Sequence, residues 1–118
     1  MDGHITESEK VKMSEISIVL VTAGSEEEAA NIGRTLVEEH LAACANIVPR
    51  IRSIYRWKGK IYDEQEFLII IKTRTSLFGG IQKRVKELHS YEVPEIISFP
   101  VARGLSEYLE WVQEETGE

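Results

Sequence analysis

The sequence predicts an α+β domain in which strands and helices follow the order β-α-β-β-α-β, closed by one further helix. Three observations carry this reading. Apolar residues run at strand spacing in residues 15–22, in two runs within 45–73, and in 96–101. Helical stripes separate the first strand from the second and the third from the fourth. The middle pair of strands flanks a short Lys58-Gly59-Lys60 turn and is long enough to overhang a small domain.

Each element has a local cause. Residues 1–14 are polar and aperiodic, which predicts a disordered tail, and residues 15–115 form one domain. In the first strand Ile16, Ile18 and Leu20 share one face, and Val19 and Val21 share the other. Ser25 opens the first helix as a capping box, with Glu28 placed to reach back to the Ser25 amide. Ala29, Ile32, Leu36 and His40 give its stripe, and it ends near Leu41. Small residues 42–45 then lead into the hairpin, where Pro49 predicts an edge, a kink or a bulge. Thr75 or Ser76 caps the second helix, whose stripe is Leu77, Phe78, Ile81, Val85 and Leu88. Gly79-Gly80 predicts close packing against a strand, since no phosphate-binding pattern flanks the pair. Ser106 starts the last helix, docked through Tyr108, Leu109, Trp111 and Val112. This order is the split βαβ, a ferredoxin-like two-layer sandwich.

The third strand is apolar on both faces: Phe67, Ile69 and Ile71 on one, Leu68 and Ile70 on the other. Helices cover one face of such a sheet, so the second face and the overhanging hairpin predict another subunit, unless the strand is central and buried within one chain. The chain has 118 residues and a net charge of −6, which argues against a general nucleic-acid binder. No apolar run approaches a membrane span and no signal peptide is visible, so a cytoplasmic setting is expected. Cys44 is the single cysteine and has no intrachain disulfide partner.

Three groups of residues carry possible chemistry. Cys44 and His89 both follow a helix, and thiolate and imidazole ligate soft or borderline divalent metals. Two ligands do not close a site, so a packed cysteine and a loop histidine is the competing reading. The run from Arg50 to Lys60 holds five basic residues and no acidic one, interleaved with Tyr55 and Trp57. It lacks an RNA-binding aromatic pattern and is expected to pair with Asp63, Glu64 and Glu66 across the hairpin. Trp57, Lys60, Glu66, Lys72, Tyr91 and Glu95 form a third set, suited to a cleft between subunits that takes a small anion or metabolite. No nucleophile, base and orienting group stand together, so the sequence makes no case for an enzyme.

The segments LVEEHLAACANIVPRIRSIYRWKGKI, EQEFLIIIKT, KELHSYEVPEIISFPVARG and YLEW, in this order and spacing, resemble the CutA divalent-cation tolerance family. The resemblance implies a compact homotrimer assembled through the hairpin. It also implies a cytoplasmic, non-enzymatic role in tolerance of copper and other divalent ions. It carries Cys44, Trp57, Glu66, Lys72, His89, Tyr91, Pro94 and Glu95 over as family positions. Ser90 replaces the proline of the family's His-Pro-Tyr loop, and Val21 and Leu88 stand where some bacterial members have a copper-associated cysteine and histidine. Any copper or other divalent ion is therefore expected to bind weakly, at His89 with Cys44 contributing. The alternative is a trimeric small-molecule sensor resembling the nitrogen-regulatory PII proteins, with ligand in inter-subunit clefts; the tight turn at Gly59 leaves little room for their effector loop.

Overall fold

The structure is a computed structural model and describes residues 15–117; the tail expected at residues 1–14 lies outside them. The elements are β1 (Ile16–Ala23), α1 (Glu26–Glu38), β2 (Cys44–Trp57), β3 (Lys60–Arg74), α2 (Phe78–Leu88), β4 (Ile96–Pro100) and α3 (Ser106–Glu114). The sheet order is β2-β3-β1-β4, with every neighbouring pair antiparallel. The expected ferredoxin-like α+β architecture is thus present.

One sheet face packs on the helices. Val19, Val21, Phe67, Ile69 and Ile71 meet Ala29, Ile32 and Leu36 of α1 and Ile81 and Val85 of α2. Each large apolar side chain buried there stabilises the fold by about 1.5–3 kcal/mol. Gly33 lets α1 approach the sheet: a Cβ there would lie 3.1 Å from the Ala45 Cβ. Gly80 does not face a strand as expected but the Leu41 side chain, 3.2 Å from its virtual Cβ, and Gly79 faces open space.

Helix ends differ from expectation in instructive ways. Ser25 caps α1 by accepting the Glu28 amide at 3.1 Å, but the Glu28 carboxylate turns elsewhere. α1 stops at Glu38 because His40 takes a left-handed φ of 61°. The His40 amide then donates to the Val37 carbonyl and the Leu41 amide to the Leu36 carbonyl. This is a Schellman ending with histidine where glycine is usual. Thr75 does not cap α2; its hydroxyl bonds Ser17 at 2.6 Å, and a 3₁₀ turn over Thr75–Leu77 leads into the helix.

Pro49 disturbs β2, an edge strand, as its missing amide requires: the register shifts between Val48 and Ile51, and Arg50 has φ 61°. The hairpin closes on Lys58 and Gly59, whose φ values of 50° and 81° suit a two-residue I′ turn. β2 and β3 run for 14 and 15 residues.

The second sheet face is covered only at one end. There α3 buries Leu109 and Val112 against Ile16 and Ala43, while Tyr108 and Trp111 stay partly exposed. Beyond α3, Ile18 and Leu20 lie beside Ile70 and Leu68 of β3, and β4 adds Ile97 and Phe99. Ile97 is 53% exposed and Phe99 47%, so this apolar face continues to the edge of the sheet.

Candidate functional site

The loop after α2 is held by one carboxylate and one imidazole. Glu28, in the first turn of α1, accepts the Gly24 amide through one oxygen at 3.3 Å and the Ser90 amide through the other at 2.7 Å. Burial pushes the Glu28 carboxyl up, but the hydrogen bonds from Ser90 and the Gly24 amide hold it below the usual carboxylate range. The His89 side chain is fully buried. Its Nε2 donates to the Thr22 carbonyl at 2.6 Å, and its Nδ1 accepts the Tyr91 amide at 3.0 Å. Both ring nitrogens are therefore occupied by the chain's own backbone, and a metal at His89 has to displace one of these bonds.

This loop and the hairpin enclose a cleft of about 670 Å³. Trp57, Glu66, Tyr91 and Glu95 of the expected cleft set line it within a single chain, joined by Tyr55 and Glu92. Glu66 is 6% exposed and accepts the Tyr91 hydroxyl at 2.8 Å. Burial and this bond to Glu66 push the Tyr91 phenol well above its ordinary value, so it remains a donor. Tyr91 passes close over Gly24, where a Cβ would lie 3.1 Å from the hydroxyl. Burial, and then the charge of Glu66, push Glu95 up. Lys60 and Lys72 are not in the cleft lining: Lys60 pairs with Trp57 at the hairpin end, and Lys72 bonds Asn46 beside Cys44.

The basic run behaves as a solvated face. Arg52 forms a two-pronged pair with Asp63 at 2.8 and 2.6 Å. Glu64 instead accepts the Tyr55 hydroxyl, which pushes that phenol up to about 12. Lys58 lies 5.5 Å from the Trp57 ring centre and 3.9 Å from Glu92. Arg52 also lines the cleft and is paired with Asp63; the other charged lining residues are Glu66, Glu92 and Glu95.

Cys44 sits elsewhere. It pairs in register with Lys72, four residues beyond the Leu68 that neighbours Thr22, and its thiol approaches the Asn46 side-chain oxygen at 3.5 Å. Cys44 and His89 thus share no partner. Among the described residues, no three His, Cys, Asp or Glu side chains are grouped to hold one metal ion. Sequence reasoning missed the second duty of Glu28, which a capping box hides, and the approach of Glu92 to Lys58, which depends on how the hairpin bends.

Fold and site define a ferredoxin-like α+β protein with a carboxylate-lined aromatic cleft beside a buried loop histidine. The chain belongs to the CutA1 divalent ion tolerance protein family, whose family model matches residues 17–115. It is 53% identical over 100 residues to the divalent-cation tolerance protein CutA of Thermus thermophilus, covering 85% of this chain and 97% of that one. It is 46% identical to the human protein CutA over 101 residues, 86% of this chain but 56% of the relative's length. The solved Thermus thermophilus structure superposes with a TM-score of 0.84 at 52% identity, covering 86% of this chain and 99% of that chain. The CutA1 structure from Oryza sativa gives 0.85 at 42% identity, covering 88% and 95%. One relative, from Arabidopsis thaliana, is named as chloroplastic, and a solved one, from Archaeoglobus fulgidus, as periplasmic. Among the described residues, no helix is long and apolar enough to cross a membrane.

Proposed function

We propose that this chain acts in tolerance of divalent cations as a homotrimer, by binding the ion weakly and without catalysis, in the cytoplasm. The observation that carries the proposal is the uncovered sheet face. Ile18, Leu20, Leu68, Ile70, Ile97 and Phe99 lie on it, and Cys44 stands at its α3 end. Covering this face with other copies removes apolar area from water, at about 25 cal/mol per Å² before the cost of association. It also brings a thiol to a subunit boundary, where other chains or water complete the coordination of a soft ion. Family membership supports the ion class, since the Thermus thermophilus relative is named for divalent-cation tolerance.

In this reading Cys44 is the donor at the subunit boundary, and His89 shapes the loop. Titration calorimetry with Cu²⁺ and Zn²⁺ under reducing control, on wild type, Cys44→Ala and His89→Ala, tests it. Cys44→Ala should lose most of the binding while keeping its subunit count. His89→Ala should weaken binding less than it weakens the fold. Unchanged binding in Cys44→Ala refutes the ligand assignment.

A further inference from the structure

The geometry points to a second ligand for this chain: we propose that the cleft between the hairpin and the 89–95 loop binds a small organic diammonium ion. This proposal stands apart from the Cys44 metal reading and uses none of its residues.

Glu66 is the first reason. It is buried, and its only hydrogen bond among the described residues is to Tyr91, through one oxygen. Glu66 lines the cleft, and its other oxygen is neither hydrogen-bonded among the described residues nor fully sealed from solvent. A buried carboxylate with an open oxygen calls for a charged donor. Glu95 adds a second carboxylate, whose ionisation is opposed by burial and then by the charge of Glu66, and a cation between them relieves that repulsion.

The mouth supplies the second reason. Trp57 and Glu92 already stand beside an ammonium there, the tethered Nζ of Lys58, 5.5 Å from the ring centre and 3.9 Å from the carboxylate. An aromatic face gives a metal ion no lone pair, and these carboxylates are not grouped as a metal cluster. A volume of about 670 Å³ suits a small molecule. One ammonium of the ligand meets Glu66 and Glu95; the other displaces Lys58 over Trp57.

The test is calorimetry on the full chain with 1,4-diaminobutane, with butylamine, Mg²⁺ and inorganic phosphate as comparison probes. The diamine should bind more tightly than butylamine, and phosphate should not bind. Lys58→Ala should tighten diamine binding by removing the tethered competitor. Trp57→Ala and Glu66→Gln should each weaken it by about tenfold. Glu95→Gln, an exposed change, should weaken it too and serves if Glu66→Gln does not fold. Four results overturn the proposal: no diamine binding in either wild type or Lys58→Ala, as when a neighbouring chain fills the cleft; equal binding of butylamine; tighter binding of Mg²⁺; or unchanged affinity in Glu95→Gln and Trp57→Ala.

Discussion

His89 shows that a residue type that suggests a metal also serves as a structural pin. Its ring joins the carbonyl of Thr22, at the end of β1, to the amide of Tyr91, and Glu28 fixes Ser90 beside it. His89→Ala should therefore destabilise the fold by roughly 2–4 kcal/mol, from lost packing and two lost hydrogen bonds. Urea unfolding at fixed protein concentration, with and without chelator, checks this. A loss that appears only when metal is present contradicts the structural role. Glu28→Gln should cost about 1–2 kcal/mol near neutral pH, because one amide then faces an NH₂ donor instead of an oxygen. Glu28 has a folded value below its unfolded one. Its contribution is present above the ordinary carboxylate value of about 4.3 and is lost as pH falls through the lower folded value. The wild type and Glu28→Gln should accordingly converge in stability in acid. A difference that stays constant down the pH scale would exclude this linkage.

At the scale of elements, the sequence was most legible where one local force decides. The strands, the helical stripes and the disturbance at Pro49 follow from alternation, periodicity and a missing amide. The end of α1 was less legible, because a left-handed histidine replaces the usual glycine and is held by tertiary contacts. His40 Nδ1 lies 3.3 Å from the Glu115 carbonyl, and the His40 carbonyl accepts the Gly117 amide. Thr75 looked like a cap but found a closer partner in Ser17, across the sheet end. In the site, Glu66, Tyr91, Trp57 and Glu95 are legible in the sequence, yet parity along a strand does not say that the hairpin brings Trp57 to the loop while leaving Lys72 beside Asn46. Two glycines test the backbone argument with opposite signs. Gly59→Val should destabilise by about 1–2 kcal/mol, since φ is 81° and nothing crowds the site. Gly79→Ala should stabilise by about 0.5–1 kcal/mol, because its helical position faces open space. Denaturation midpoints of the two variants should move apart; movement in the same direction contradicts the local account.

The whole molecule is organised around the face its own helices leave bare. α3 covers the Ile16 end, and the remainder, out to Phe99 and Ile97, is apolar and half open. The hairpin strands continue the sheet past the helices, so the same strands that build the core also carry the apolar face that the proposed trimer would cover. Phe99→Asp and Leu20→Glu, which place charges on that face, should lower the subunit count while leaving the helix-facing core intact. Native mass spectrometry of the purified chain at micromolar concentration, beside these two variants, tests this most directly. Three chains are expected in the wild-type species and fewer in the variants. A wild-type monomer, or variants that remain trimeric, would contradict it.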